Sequence, residues 1–228
     1  MIKIIGFDLD DTLWDVAPVI RHAEAQLNLW LANEVPALKY SVETMRALRK
    51  QVLDENPGLV KQITEFRRCI IERALRLSHI ASPRAIDLSH QAMEVFLHAR
   101  NQIELFDGTW EVLQDLSRHY TLAALTNGNA DIQRLGLDQL FSFGFTAEEV
   151  GAPKPEPHLF SAALQHAGVD PHEMIYVGDD PKLDVDAAKN AGLHAIWMDR
   201  GTKTPGEHQA DVTITDISQL PDAVAKIH

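Results

Sequence analysis

Ile2-Lys3-Ile4-Ile5-Gly6-Phe7-Asp8-Leu9-Asp10-Asp11-Thr12-Leu13 decides how the rest of the 228-residue chain is read. The apolar run from Ile2 to Phe7 predicts a strand buried on both faces. Three carboxylates follow within four positions, where the chain leaves the sheet. Acids held that close are costly unless a cation sits among them. An oxygen-only ligand set of this kind suits Mg²⁺, which takes a few carboxylates and leaves room for water and substrate phosphate. If strand geometry persists, Asp8 and Asp10 point to the same side. One can then attack while the other moves protons. The competing reading is a polar turn whose aspartate caps the next helix.

Composition narrows the field. The apolar fraction is 45%, and the formal charge is −12, from 21 basic and 33 acidic side chains. An acidic surface argues against nucleic acid or an anionic membrane as partner. It also calls for a local positive focus wherever an anionic substrate binds. The single cysteine, Cys69, excludes an internal disulfide and reads as a small core residue. The amino-terminal stretch lacks the apolar region of a signal peptide, and no stretch reaches spanning length. A soluble, cytoplasmic protein is the expectation.

Two parts of the chain carry different periodicities. Residues 16–33, 42–54, 59–78 and 83–100 repeat apolar side chains at three- and four-residue spacing, as helices do. Ser82-Pro83 predicts a capping hydroxyl followed by proline at the first helical position. From residue 105 onward, strand candidates (120–125, 140–145, 174–177, 194–198, 212–214) alternate with helix candidates (109–118, 156–167, 182–191, 220–227). That alternation predicts an α/β fold, a doubly wound, Rossmann-like parallel sheet. Residues 1–13 and 105–228 form its core, and residues 14–104 are an inserted all-helical domain.

Ligands of such sheets bind beyond the carboxyl ends of the strands. Four polar segments fall there: Asp8 to Thr12, Thr126-Asn127-Gly128-Asn129, Lys154 between prolines, and Gly178-Asp179-Asp180-Pro181-Lys182-Leu183-Asp184. Each alone reads as a turn, a cap or a solvated lysine. Together they supply what phosphoryl transfer needs: acids for a metal and an attack, donors for phosphoryl oxygens, and a cation for the developing charge.

In order and type, these motifs resemble those of the haloacid dehalogenase-like hydrolases, and the helical insertion resembles that family's cap. The resemblance implies roles. Asp8 matches the nucleophile that becomes an aspartyl phosphate, and Asp10 the acid/base. Thr126 matches the hydroxyl donor to the phosphoryl group, assisted by the backbone at Asn127. Lys154 matches the cation that holds nucleophile and phosphate. Asp179 matches the acidic Mg²⁺ ligand, beside Asp8 and the main-chain carbonyl at Asp10, with Asp184 in support. Spacing back from Gly192 leaves Asp180 open as an alternative to Asp179.

Asp10 separates branches of that family, since an ester oxygen needs a proton on leaving and a halide does not. A phosphatase of small phosphate monoesters is therefore expected. A sugar-phosphate phosphomutase and a non-catalytic partner-binding protein are the alternatives. The segments from Trp14 to Ile20, Thr126 to Ala130 and Val177 to Asp180 resemble bacterial phosphatases of flavin mononucleotide (FMN) and of 5-amino-6-(5-phospho-D-ribitylamino)uracil in riboflavin synthesis. The cap is expected to select the substrate by closing over the site. Trp14 either stacks on a planar substrate or packs as a hinge residue. Trp30, Phe66 and Phe96 read as cap core. Arg67 and Arg68 read as a solvated face, with one able to reach a second anionic group.

Overall fold

A computed structural model describes residues 1–38 and 42–227. The chain divides into two compact units, Met1–Val16 with Ile103–His228, and Ala17–Gln102. The first division falls a few residues beyond Leu13 and the second close to residue 105.

The first unit is built on six parallel strands: β1 (Ile4–Phe7), β2 (Thr121–Thr126), β3 (Phe143–Thr146), β4 (Met174–Gly178), β5 (His194–Met198) and β6 (Val212–Ile214). Their order is β3-β2-β1-β4-β5-β6. Successive strands run outward from β1 in both directions, so the topology reverses at β1, and ligand crevices open at such a point. The pairs Phe7 with Ala124 and Phe7 with Val177 bring the carboxyl ends of β1, β2 and β4 to within two residues of one another. Their three exit loops therefore start side by side. One face of the sheet buries Ile4, Leu125, Met174 and Tyr176 against Leu159 and Phe160.

The second unit holds helices α1 (Val16–Glu34), α2 (Val42–Glu55), α3 (Ile63–Leu77) and α4 (Ser82–Arg100). Phe96 is buried with Leu27, Leu31, Ile71 and Leu88, and Trp30 packs against that cluster. Phe66 is buried in a second cluster with Leu48 and Val52. Among the described residues no helix is long and apolar enough to cross a membrane. Helices α5 (Thr109–Leu116), α6 (Ala147–Val150), α7 (His158–Ala167), α8 (Ala187–Asn190) and α9 (Leu220–Ala225) belong to the first unit.

Several local expectations are corrected. β3 begins at Phe143, not at residue 140, because Leu140 and Phe141 bury themselves from a turn. Phe141 packs edge-on to Phe7 at 5.7 Å. Their apolar character marks a core contact, not a strand. The predicted helix 59–78 is split: a 3₁₀ turn covers Pro57–Lys61 and α3 starts at Ile63. Ser82 does not cap α4; it is the first helical residue, preceded by Ala81 with no side-chain cap. Cys69 is half-buried. Burial pushes its thiol up to about 11, and its Sγ donates to Glu65 at 3.4 Å.

Candidate active site

The ladder of β1 ends one residue past the strand, where the Asp8 N–H donates to the Val177 carbonyl at 2.8 Å. The chain then turns, and the Leu9 carbonyl accepts from both Thr12 and Leu13. Strand alternation is therefore not what orients Asp10. A backbone bridge joins Asp10 to Trp14, whose indole N–H donates to Asp10 Oδ1 at 2.9 Å. Trp14 is 0% exposed. The stacking expectation for Trp14 is thus corrected: it has no free ring face, and it holds a carboxylate instead.

Lys154 reaches the same place from the segment after α6. Its side chain is 2% exposed, and Nζ donates to Asp8 Oδ1 at 2.7 Å, Asp184 Oδ1 at 2.6 Å and the Tyr176 hydroxyl at 2.6 Å. Burial by itself would depress the ammonium. The charges of Asp184 and Asp8 overcome it and hold Lys154 well above the ordinary lysine range. Burial also pushes the Asp8 carboxyl up to about 8, against the pull of Lys154 and with a further push from Asp184. The Asn127 side chain locks the lysine segment in place: its amide donates to the Lys154 carbonyl at 3.0 Å and accepts the Lys154 N–H at 2.7 Å. Thr126 is buried, and its hydroxyl oxygen accepts from the Gly128 N–H at 2.9 Å, which leaves the hydroxyl proton to donate elsewhere.

The two adjacent acids after β4 part company. Asp180 caps the following turn by accepting from the Lys182 and Leu183 N–H groups at 2.9 Å. Asp179 is buried and joins Asp8 and Asp184, with one carboxylate oxygen from each lying within 4.8 Å of the others. A widened π-helical turn, Pro181–Asp186, takes the place of the predicted regular helix start and aims Asp184 inward. Gly178 is required beneath it, since a Cβ there would lie 2.3 Å from the Asp184 carboxyl carbon. Such a group of buried carboxylates could hold a metal ion.

Comparison with known proteins agrees with this geometry. The profile of the haloacid dehalogenase-like hydrolase family matches residues 2–192. The chain belongs to that family. It is 33% identical over 198 residues to the 5-amino-6-(5-phospho-D-ribitylamino)uracil phosphatase YigB of Escherichia coli, covering 86% of this chain and 83% of that one. It is 36% identical to a phosphoserine phosphatase of Thermus thermophilus, over 96% and 97% of the two chains. A solved structure described as a 2-haloacid dehalogenase of Pseudomonas syringae superposes with a TM-score of 0.95, at 41% identity and 99% coverage of both chains. This member of the haloacid dehalogenase-like hydrolases is an enzyme of the phosphatase kind.

Three further residues of the site escaped the sequence. Tyr176 places its ring 5.0 Å from the Lys154 ammonium and donates its hydroxyl proton to the Leu125 carbonyl at 2.7 Å. Within β4 it reads as ordinary core. Lys203 pairs with Asp179 at 2.6 Å and Asp180 at 3.0 Å. Arg200 donates to the carbonyls of Asp11 and Thr12. Both cations lie in a polar loop after β5, where nothing local distinguishes them from solvated charges.

Proposed function

We propose that this enzyme hydrolyses small phosphate monoesters through an aspartyl phosphate on Asp8. The observation that carries the reading is the convergence of Asp8, Lys154, Asp179 and Asp184 from three remote segments into one buried cluster. Asp8 Oδ attacks phosphorus and the ester P–O bond breaks. Asp10 gives its proton to the departing oxygen. Asp10 then takes a proton from water as that water attacks the aspartyl phosphate, releasing inorganic phosphate and restoring Asp8. Lys154 holds the Asp8 carboxylate and offsets charge on the phosphoryl oxygens, while Thr126 donates its hydroxyl to one of them.

Asp8, Asp179 and Asp184 gather three buried carboxyl groups around one point, with Lys154 and Lys203 as their paired cations, and an oxygen-only set of this kind fits a divalent cation. Asp8, Asp179 and the Asp10 carbonyl would hold Mg²⁺, with Asp184 in support and Asp180 committed to its cap. When bound, Mg²⁺ supplies charge neutralisation for the anionic substrate.

Asp10 favours phosphate esters over haloacids as substrates, because halide departure needs no general acid. Within the phosphatases, similarity to YigB supports 5-amino-6-(5-phospho-D-ribitylamino)uracil as a substrate, and the resemblance of the segments at Trp14, Thr126 and Val177 adds FMN as a second candidate. The test is phosphate release from a panel with Mg²⁺ containing these two compounds, nucleotides, phosphoserine and sugar phosphates. Preference for the flavin pair is expected, and equal weak rates on every compound would remove that assignment. Asp8→Asn should lower turnover by on the order of 10⁴-fold or more without unfolding. Acid-quenched enzyme should carry hydroxylamine-labile phosphate, absent from the variant. Undiminished turnover in Asp8→Asn would reject the mechanism.

A further inference from the structure

The turn that carries Asp10 is held in an uncommon shape. Asp11 adopts φ 60°, the left-handed region that side chains other than glycine seldom occupy. Its N–H donates to the Trp14 carbonyl at 2.8 Å, and its Oδ1 accepts from the Val16 N–H at 2.9 Å. Those bonds close the turn but leave the Asp11 and Thr12 carbonyls to be met from outside. Arg200 meets both, with Nε 3.2 Å from the Asp11 oxygen and Nη2 2.8 Å from the Thr12 oxygen. Its guanidinium stacks 4.0 Å over Phe106, whose own N–H donates to the Leu13 carbonyl at 2.9 Å. Arg200 and Phe106 thus grip three consecutive peptide units, at residues 11, 12 and 13. The far end of the Arg200 loop is tied down as well, since Asp186 accepts from the Glu207 and His208 N–H groups at 2.9 and 2.7 Å.

The next residue of the turn is Trp14, and it holds Asp10 Oδ1 at 2.9 Å. We infer that Arg200 is a positioning residue for proton transfer by Asp10, acting through the Asp11–Trp14 turn and without touching the substrate. This rests on the reading of Asp10 as the general acid. A planar fork that donates to two carbonyls and stacks on a ring cannot be replaced by a lysine ammonium. Loosening the turn lets the Asp10 carboxyl drift from the leaving oxygen, and small displacements of a catalytic group are costly.

Leaving-group dependence tests the inference. An alkyl phosphate needs a proton on its departing oxygen, whereas p-nitrophenolate leaves without one. Loss of a well-placed general acid is worth about 10²-fold or more. Arg200→Ala should therefore lower kcat/KM, which reports attack on the ester and not the later hydrolysis of the aspartyl phosphate, by about 10²-fold on an alkyl phosphate and by less than about fivefold on p-nitrophenyl phosphate. Asp10→Asn should show the same pattern more steeply, and adding Arg200→Ala to it should cost nothing further on the alkyl ester, since both remove one function. Arg200→Lys should recover only part of the loss. Circular dichroism checks folding, and Arg200→Gln replaces the alanine variant if that one unfolds. Equal losses of kcat/KM on both esters, a loss carried only by a rise in KM, or an additive double variant would overturn the role of Arg200. A flat leaving-group response in Asp10→Asn itself would overturn the assignment of Asp10, which is a separate failure.

Discussion

Lys154 and Arg68 are each held by two carboxylates, yet they teach opposite lessons about buried charge. Arg68, in the helical unit, takes Glu65 and Glu72 from its own helix at three- and four-residue spacing, and its side chain keeps 14% of its exposure. Such pairs form on any amphipathic helix and are worth little. Lys154 is sealed at 2% exposure, and its partners come from the ends of two different strands. Desolvating an ammonium and two carboxylates is expensive, and well-packed apolar residues would serve stability as well or better. Sequence distance between partners, combined with burial, is therefore the sign of a site, whereas charge pairing by itself is not.

The largest effect expected from breaking this contrast is at Lys154. Lys154→Met removes the one cation paired with Asp184 among the described residues. Leaving buried carboxylates uncompensated costs about 3–5 kcal/mol, read by urea unfolding. Turnover should fall by on the order of 10³-fold, as when a fixed charge-stabilising donor is lost. A variant that keeps its stability but loses activity would show that the cluster relaxes freely and that Lys154 acts on the substrate alone.

Arg68→Met is the matching experiment, with a much smaller outcome. Glu72 keeps a second partner in Arg76 at 2.5 Å, so no buried charge is stranded. The cost should stay below about 1 kcal/mol, with turnover unchanged. Arg68 does line an open cleft of about 490 Å³ together with Trp30, His90 and Met93. Its guanidinium is committed to Glu65, Glu72 and the Ser89 hydroxyl at 3.0 Å. A fall in turnover on Arg68→Met would mean that those bonds are exchanged for substrate contacts.

The same contrast explains what could be read from sequence. The strand before Asp8 was legible because an apolar run followed by three acids has few other uses. The parallel α/β sheet was legible from the change of period near residue 105. Lys154 gained meaning only from the order of motifs around it, since a proline-flanked lysine is normally solvated. Asp179 and Asp180 were indistinguishable until the turn after β4 directed one inward and one onto backbone N–H groups. Trp14 and Tyr176 were misread or overlooked for a common reason. Each uses a polar atom at the tip of a body that otherwise packs, and composition and periodicity register only the body, whereas Arg200 sits in a polar loop and reads as a solvated charge. Ser82 and residues 140–142 failed differently: local signals placed the element, and tertiary burial shifted its start.

Asp211 gives the smallest and cleanest extension of the comparison, because it lies between the two extremes. It receives the Lys189 ammonium at 2.8 Å and the Ala195 N–H at 2.8 Å, where β5 begins, with its side chain still 28% exposed. Burial by itself would raise its carboxyl; the Lys189 contact and the Ala195 N–H outweigh that and hold it below the usual carboxylate range. A folded value below the unfolded one means that the unfolded chain binds more protons between the two. The contribution is then complete above the ordinary aspartate value of 3.8 and disappears as pH falls through the depressed one. Asp211→Asn keeps an acceptor for Ala195 and removes only the charge. Urea unfolding of both proteins from pH 7 downward should show a small stability gap that closes on acidification below pH about 4. A gap that persists unchanged into acid would mean that the charge contributes nothing and that the amide simply fits the site less well than the carboxyl group, and Asp211 would then have no place on the scale that runs from Arg68 to Lys154.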